Sequence, residues 1–131
     1  MMNKKNEPNL ENQPIEQRIF LSYSRENTSI MKRILKKLES YGFSVWIDDN
    51  LILGTESWKT AIEDAIRQSQ GLVVIMSPNS KESLWVEREL DFARVQGVRI
   101  FPVLAAGEEN NAIPNRYRSH SPQAKYHVTI L

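Results

Sequence analysis

An α/β fold, a mainly parallel sheet with helices on both faces, is predicted by three observations. The run Gly71–Met76 is apolar without alternation, so both faces of that strand must be covered. Short apolar runs alternate with stretches of helical periodicity for three full units and part of a fourth. Gly42 and Gly97 each stand where an apolar helical stripe stops and a new apolar run starts, as left-handed cap residues do. Five strands connected this way commonly take the order 2-1-3-4-5. Ligands then bind beyond the carboxyl ends of the strands, at the switch between strands 1 and 3.

Each element can be justified in turn. Residues 1–17 are rich in Asn, Gln, Glu, Lys and Pro and are expected to be a disordered lead-in to one domain, 18–131. Residues 18–23, with Ile19-Phe20-Leu21, read as a first buried strand. Residues 28–41 place Ile30, Ile34, Leu38 and Tyr41 on one helical stripe, widened by Met31 and Leu35. Residues 43–47 form a second strand, broken by Asp48-Asp49-Asn50. A loop around Gly54 follows, then a second helix over 58–70 with Trp58, Ile62, Ala65, Ile66 and Ser69 inward. After the strand Gly71–Met76, Ser77-Pro78-Asn79-Ser80 leads into a helix beginning near Ser83. Val86, Leu90 and Ala93 give that helix one apolar face, and Trp85 and Glu89, one turn apart, give it a second about a quarter turn away. Residues 98–104 are a fourth strand, in which Pro102 either falls where no ladder bond is needed or ends the strand. Residues 105–123 carry weak signals. Residues 126–131 alternate weakly and are read as a fifth strand.

Composition narrows the function. The formal net charge is +1, which makes no electrostatic case for nucleic acid or an anionic membrane as partner. There is no cysteine, so disulfides, thiol nucleophiles and zinc–thiolate sites are excluded, and a cytoplasmic setting is expected. The two histidines, His120 and His127, are not at a metal-ligand spacing, so no metal site is expected. The loop after the first strand has no glycine, so neither a dinucleotide fingerprint nor a P-loop is present. A phospho-receiver would need acidic residues after strand 1, where the chain has Ser-Tyr-Ser, and an Asp after strand 3, where it has Ser-Pro-Asn.

The expected topology gathers Ser22, Tyr23 and Ser24, then Asp48 and Asp49, then Trp85 and Glu89 around one crevice. Hydroxyls, carboxylates and aromatic rings together suit a ribose or a nucleoside. Plainer readings stand beside that one. Ser22 and Ser24 suit helix caps, Tyr23 and Trp46 suit core packing, Asp48 suits a turn, and Trp58 suits a packing anchor.

Four blocks, in order, resemble the Toll/interleukin-1 receptor (TIR) domain in its bacterial form. They are Ile19-Phe20-Leu21-Ser22-Tyr23-Ser24; Gly42 to Asp48 with Leu51, Gly54 and Trp58; Leu72 to Pro78 with Ser83, Trp85, Val86, Glu89 and Leu90; and Ile100-Phe101-Pro102-Val103. The resemblance implies a flavodoxin-like fold of five strands. It also implies a helix after the fifth strand that is missing here, because the chain stops at Leu131, where that helix would begin. It further implies cleavage of NAD+ at the nicotinamide–ribose bond, giving nicotinamide and ADP-ribose or a cyclic variant, in bacterial defence or host interference. NAD+ would be substrate, with no separate cofactor. Glu89 would be catalytic and Glu87 would face away. Trp46 would stack in the nicotinamide region, Ser22, Tyr23, Ser24 and Asp48 would frame the pocket, and Trp85 would set the angle of Glu89. Asp49, Asn50, Leu51, Ile52, Leu53 and Gly54 would form the BB loop, which in the family completes a neighbour's site on self-association. The alternative is a non-catalytic scaffold that binds other TIR domains through that loop.

Overall fold

In the computed structural model, which describes residues 17–47, 56–114 and 129–130, the sheet is organised around a first strand buried along its whole length, β1 (Arg18–Ser22). A short 3-10 turn, Arg25–Asn27, passes into α1 (Thr28–Ser40). Next come β2 (Ser44–Trp46), α2 (Glu56–Arg67), β3 (Gly71–Met76), a one-turn helix α3 (Pro78–Lys81) and α4 (Leu84–Gln96). The chain continues through β4 (Arg99–Leu104), the short α5 (Glu109–Ala112) and a two-residue β5 (Thr129–Ile130). All strand pairs are parallel, and the order is β2-β1-β3-β4-β5. The expected fold class and strand order are therefore what the chain adopts.

The pleat of β1 divides the core. Ile19, Leu21 and Tyr23 pack with Met31 and Val45 on the α1 side of the sheet. Phe20 points the other way and joins Ile66, Leu72, Val86, Leu90 and Ala93 beneath α2 and α4. Burying side chains such as Phe20, Ile66 or Leu72 completely stabilises the fold by about 1.5–3 kcal/mol each. Gly97 ends α4 at φ 76°, a left-handed conformation that costs glycine little.

Three expectations shift. Tyr41 does not belong to the apolar stripe. It is the C-cap of α1, at φ −92° and ψ 6°, and is 70% exposed, because leaving helical geometry at Ser40 rotates its side chain out of phase. α2 ends at Arg67, before Gln70, and Ser69 is buried beyond the helix with its hydroxyl donating to the Ala65 carbonyl at 2.7 Å. β4 continues through Pro102, which is buried and in register with Val74, while β5 joins only at Val103 and Leu104. Residues 1–16, 48–55, 115–128 and 131 lie outside the described residues, and with them the readings of the lead-in and of the chain's end.

Candidate active site

The site begins with a helix cap. Ser77 closes β3, and its hydroxyl accepts from the Ser80 backbone N–H at 3.0 Å while the Ser77 N–H donates to Ser80 Oγ at 2.8 Å. With Pro78 in the first turn, this capping box starts α3 immediately at the carboxyl end of the strand. One turn later Ser83 caps α4, accepting from the Val86 N–H at 3.3 Å. Two caps in succession fix where α4 starts and which of its residues face the sheet.

Val86, Leu90 and Ala93 face inward, at 2%, 2% and 0% exposure. Glu89 completes the same i, i+3, i+4, i+7 pattern with them and is only 4% exposed. A buried carboxylate is costly unless a hydrogen bond meets it. Here Ser22, at the carboxyl end of β1, donates from Oγ to Glu89 Oε1 at 2.7 Å across 67 residues of sequence. Glu87, two residues away, is exposed. Trp85 is half-buried one turn before Glu89, with the Arg88 guanidinium 5.6 Å from its ring centroid.

On the same side of the sheet, Trp46 stacks on Phe20, with ring centroids 5.2 Å apart and planes 17° from parallel. The two residues are register partners on β2 and β1. Between α2 and α4 lies a groove of about 570 Å³, lined by Lys59, Ile62, Trp85, Arg88, Glu89 and Phe92 among others. Glu89 is thus reached from the groove, while Ser22 stands behind it, 1% exposed.

The other expected site residues divide. Tyr23 falls on the opposite face of the sheet, buried beneath α1, because successive strand residues alternate. Ser24 is buried and donates to Glu26 within its own turn, and this bond, followed by a backbone one, holds the Glu26 carboxyl below its ordinary range. Asp48, Asp49, Asn50, Leu51, Ile52, Leu53 and Gly54 lie outside the described residues.

A contact that the sequence reasoning missed joins the rims of the crevice. Ser77 Oγ donates to Asn27 Oδ1 at 2.6 Å, with both residues buried, tying the turn after β1 to the turn after β3. The buried position of Glu89 had a readable signal, a carboxylate occupying the fourth place of an apolar heptad pattern.

The TIR domain pattern matches residues 19–127. The chain belongs to the TIR domain family. The TIR domain is 31% identical over 97 residues to a protein of Cytobacillus dafuensis whose name provisionally assigns it as a cyclic ADP-D-ribose synthase, TIR2; the match covers 69% of this chain and 26% of that one. It is 30% identical over 101 residues to a stimulator of interferon genes protein of Magallana gigas, covering 72% of this chain and 24% of that one. The chain therefore spans about a quarter of the length of these curated relatives. Among solved structures it is similar to the TIR domain of the Toll-related receptor TRR-2 of Hydra magnipapillata. That match has a TM-score of 0.66 and 20% identity, covers 84% of this chain and 82% of that one, and shows the shared fold. No helix among the described residues is long and apolar enough to cross a membrane.

Proposed function

We propose that this TIR domain cleaves NAD+ at the nicotinamide–ribose bond, with Glu89 as the catalytic carboxylate. One observation carries the reading. A glutamate is held in the inner face of α4 by a hydroxyl from β1, at the wall of a groove large enough for a ligand. An apolar residue of similar volume would pack this position at little or no cost, so a buried glutamate there points to a chemical role. The name of the Cytobacillus dafuensis relative, which specifies a cyclic ADP-D-ribose synthase, supports the same chemistry.

The reaction needs little from the protein. Nicotinamide leaves as a neutral molecule when the C1′–N bond breaks, because the electron pair cancels the charge on its ring nitrogen. No general acid is required. The ribose passes through an oxocarbenium-like state, as in glycoside cleavage. A fixed carboxylate beside it stabilises the developing positive charge and accepts from ribose hydroxyls. Water then adds to C1′ and loses a proton, giving ADP-ribose, or an internal nucleophile adds and closes a ring. Trp46 supplies an aromatic wall on the Glu89 side of the sheet, and Asp48, with the loop 49–54 of a neighbouring copy, completes the pocket.

The purified domain, at high concentration or under crowding, is incubated with NAD+ and nicotinamide release is followed by chromatography. Release by the wild type and its loss in Glu89→Ala are expected. A folded but inactive wild type would sink the reading and favour the scaffold role.

A further inference from the structure

We propose that Ser22 is a positioning residue that sets the plane of the Glu89 carboxylate and makes no contact with substrate. The inference rests on Glu89 being the catalytic carboxylate and assigns Ser22 a role different from the pocket-framing one its place after the first strand suggests.

Three observations carry it. Ser22 is 1% exposed and stands on the sheet side of Glu89, so a ligand that reaches the carboxylate from the α2–α4 groove meets Glu89 first. A serine hydroxyl has one proton to donate, and that proton is committed to Glu89 Oε1 at 2.7 Å. The anchor is also rigid, because Ser22 is register partner to Val74 in β3, at the centre of the five-stranded sheet.

The need for an anchor follows from the side chain. The last torsion of glutamate, which turns the carboxylate plane, is broad and poorly defined by its own rotamer preference. A carboxylate that must face a developing charge at C1′ gains from having that torsion set before substrate arrives, since misplacement by about 1 Å can cost roughly 100-fold in rate. A hydroxyl on a neighbouring helix would shift with the helix. One on β1, an interior strand paired to the central β3, is held by the sheet.

The test separates positioning from stability. Kinetics of Ser22→Ala are measured well below its thermal midpoint, on protein shown to be folded. Positioning predicts that kcat for nicotinamide release falls by about 10- to 100-fold with KM nearly unchanged, and that Ser22→Thr, which restores a hydroxyl, recovers most of the loss. A rise in KM at constant kcat would return Ser22 to substrate binding and overturn the proposal. So would unchanged kinetics with only a lowered thermal midpoint. Should the alanine variant fail to fold, Ser22→Cys, similar in size with a weaker donor, takes its place with the same expectations.

Crystal structures of the wild type and the alanine or cysteine variant give a readout without turnover. The Glu89 carboxylate plane should rotate or become multiply oriented in the variant. An unmoved carboxylate overturns the positioning role whether or not NAD+ is the substrate. A rotated carboxylate in a protein that releases no nicotinamide would instead locate the failure in the catalytic reading.

Discussion

Two serine–glutamate pairs, Ser22 with Glu89 and Ser24 with Glu26, stand two residues apart on the same strand end and have opposite characters. Ser24 donates to Glu26 inside one turn, and Glu26 is fully exposed, so water stands ready to replace the bond. Ser22 donates to Glu89 across the core, where water does not reach. The donor and acceptor chemistry is the same in both. What differs is the cost of leaving the bond unmade, which is small at the surface and large in the interior. The contrast teaches that a hydroxyl–carboxylate pair carries information about function only where the fold has made it expensive.

The sharpest way to break the contrast is to remove each carboxylate. Glu89→Ala should lower nicotinamide release by at least about 100-fold, the scale of losing a preorganised electrostatic group, whereas Glu26→Ala should leave release unchanged in the same assay. Equal losses from both would erase the distinction.

Stability probes the same contrast at smaller amplitude. Ser22→Ala removes the hydroxyl that donates to the buried Glu89 carboxylate and should cost about 1–3 kcal/mol, read by urea denaturation. Pairing it with Glu89→Leu should restore stability to wild type or above while abolishing activity, because apolar groups replace both members of the buried hydroxyl–carboxylate bond. A double variant less stable than the wild type would mean that the pair contributes net stability to the fold.

The rim contact between Asn27 and Ser77 lies between the two extremes. Ser77→Ala removes the buried bond to Asn27 and the cap of α3 together, and a loss of about 1–2 kcal/mol is expected in chemical denaturation.

The smallest effect belongs to pH at Glu26. Its folded carboxyl titrates below the usual value, so its contribution to stability is present above the unfolded-state range and is lost as pH falls through the lowered folded value. Ser24→Ala should remove that contribution, lowering the thermal midpoint slightly at neutral pH and converging with the wild type as pH falls through the lowered folded value. A midpoint difference that persisted at acid pH, with Glu26 protonated, would show that Ser24 does more than hold Glu26.

Much of this molecule is local enough to be legible in the chain. Strand Gly71–Met76 stands out locally, since a short unbroken apolar run rich in β-branched residues between polar neighbours suits a strand covered on both faces. Gly97 ends α4 because a left-handed cap favours glycine, and the alternation of short strands and helices leaves little room for any sheet but a parallel one. Glu89 was expected with Trp85 on a second face about a quarter turn from Val86, Leu90 and Ala93, although its i+3 place among those three already marks it as inward. Tyr41 misled because helical period says nothing about where the helix lets go. Tyr23 and Ser22, adjacent in sequence, were expected in one pocket, and the pleat of β1 sends them to opposite faces. The partner of Glu89 was beyond reach of any local rule. Ser22 meets it only because parallel pairing sets β1 beside β3 and two successive caps fix the start of α4. Composition and period determined which elements form and which faces they bury. Which hydroxyl stands behind the carboxylate was decided by packing, since a hydrogen bond across 67 residues exists only once the sheet has brought its two ends within 2.7 Å.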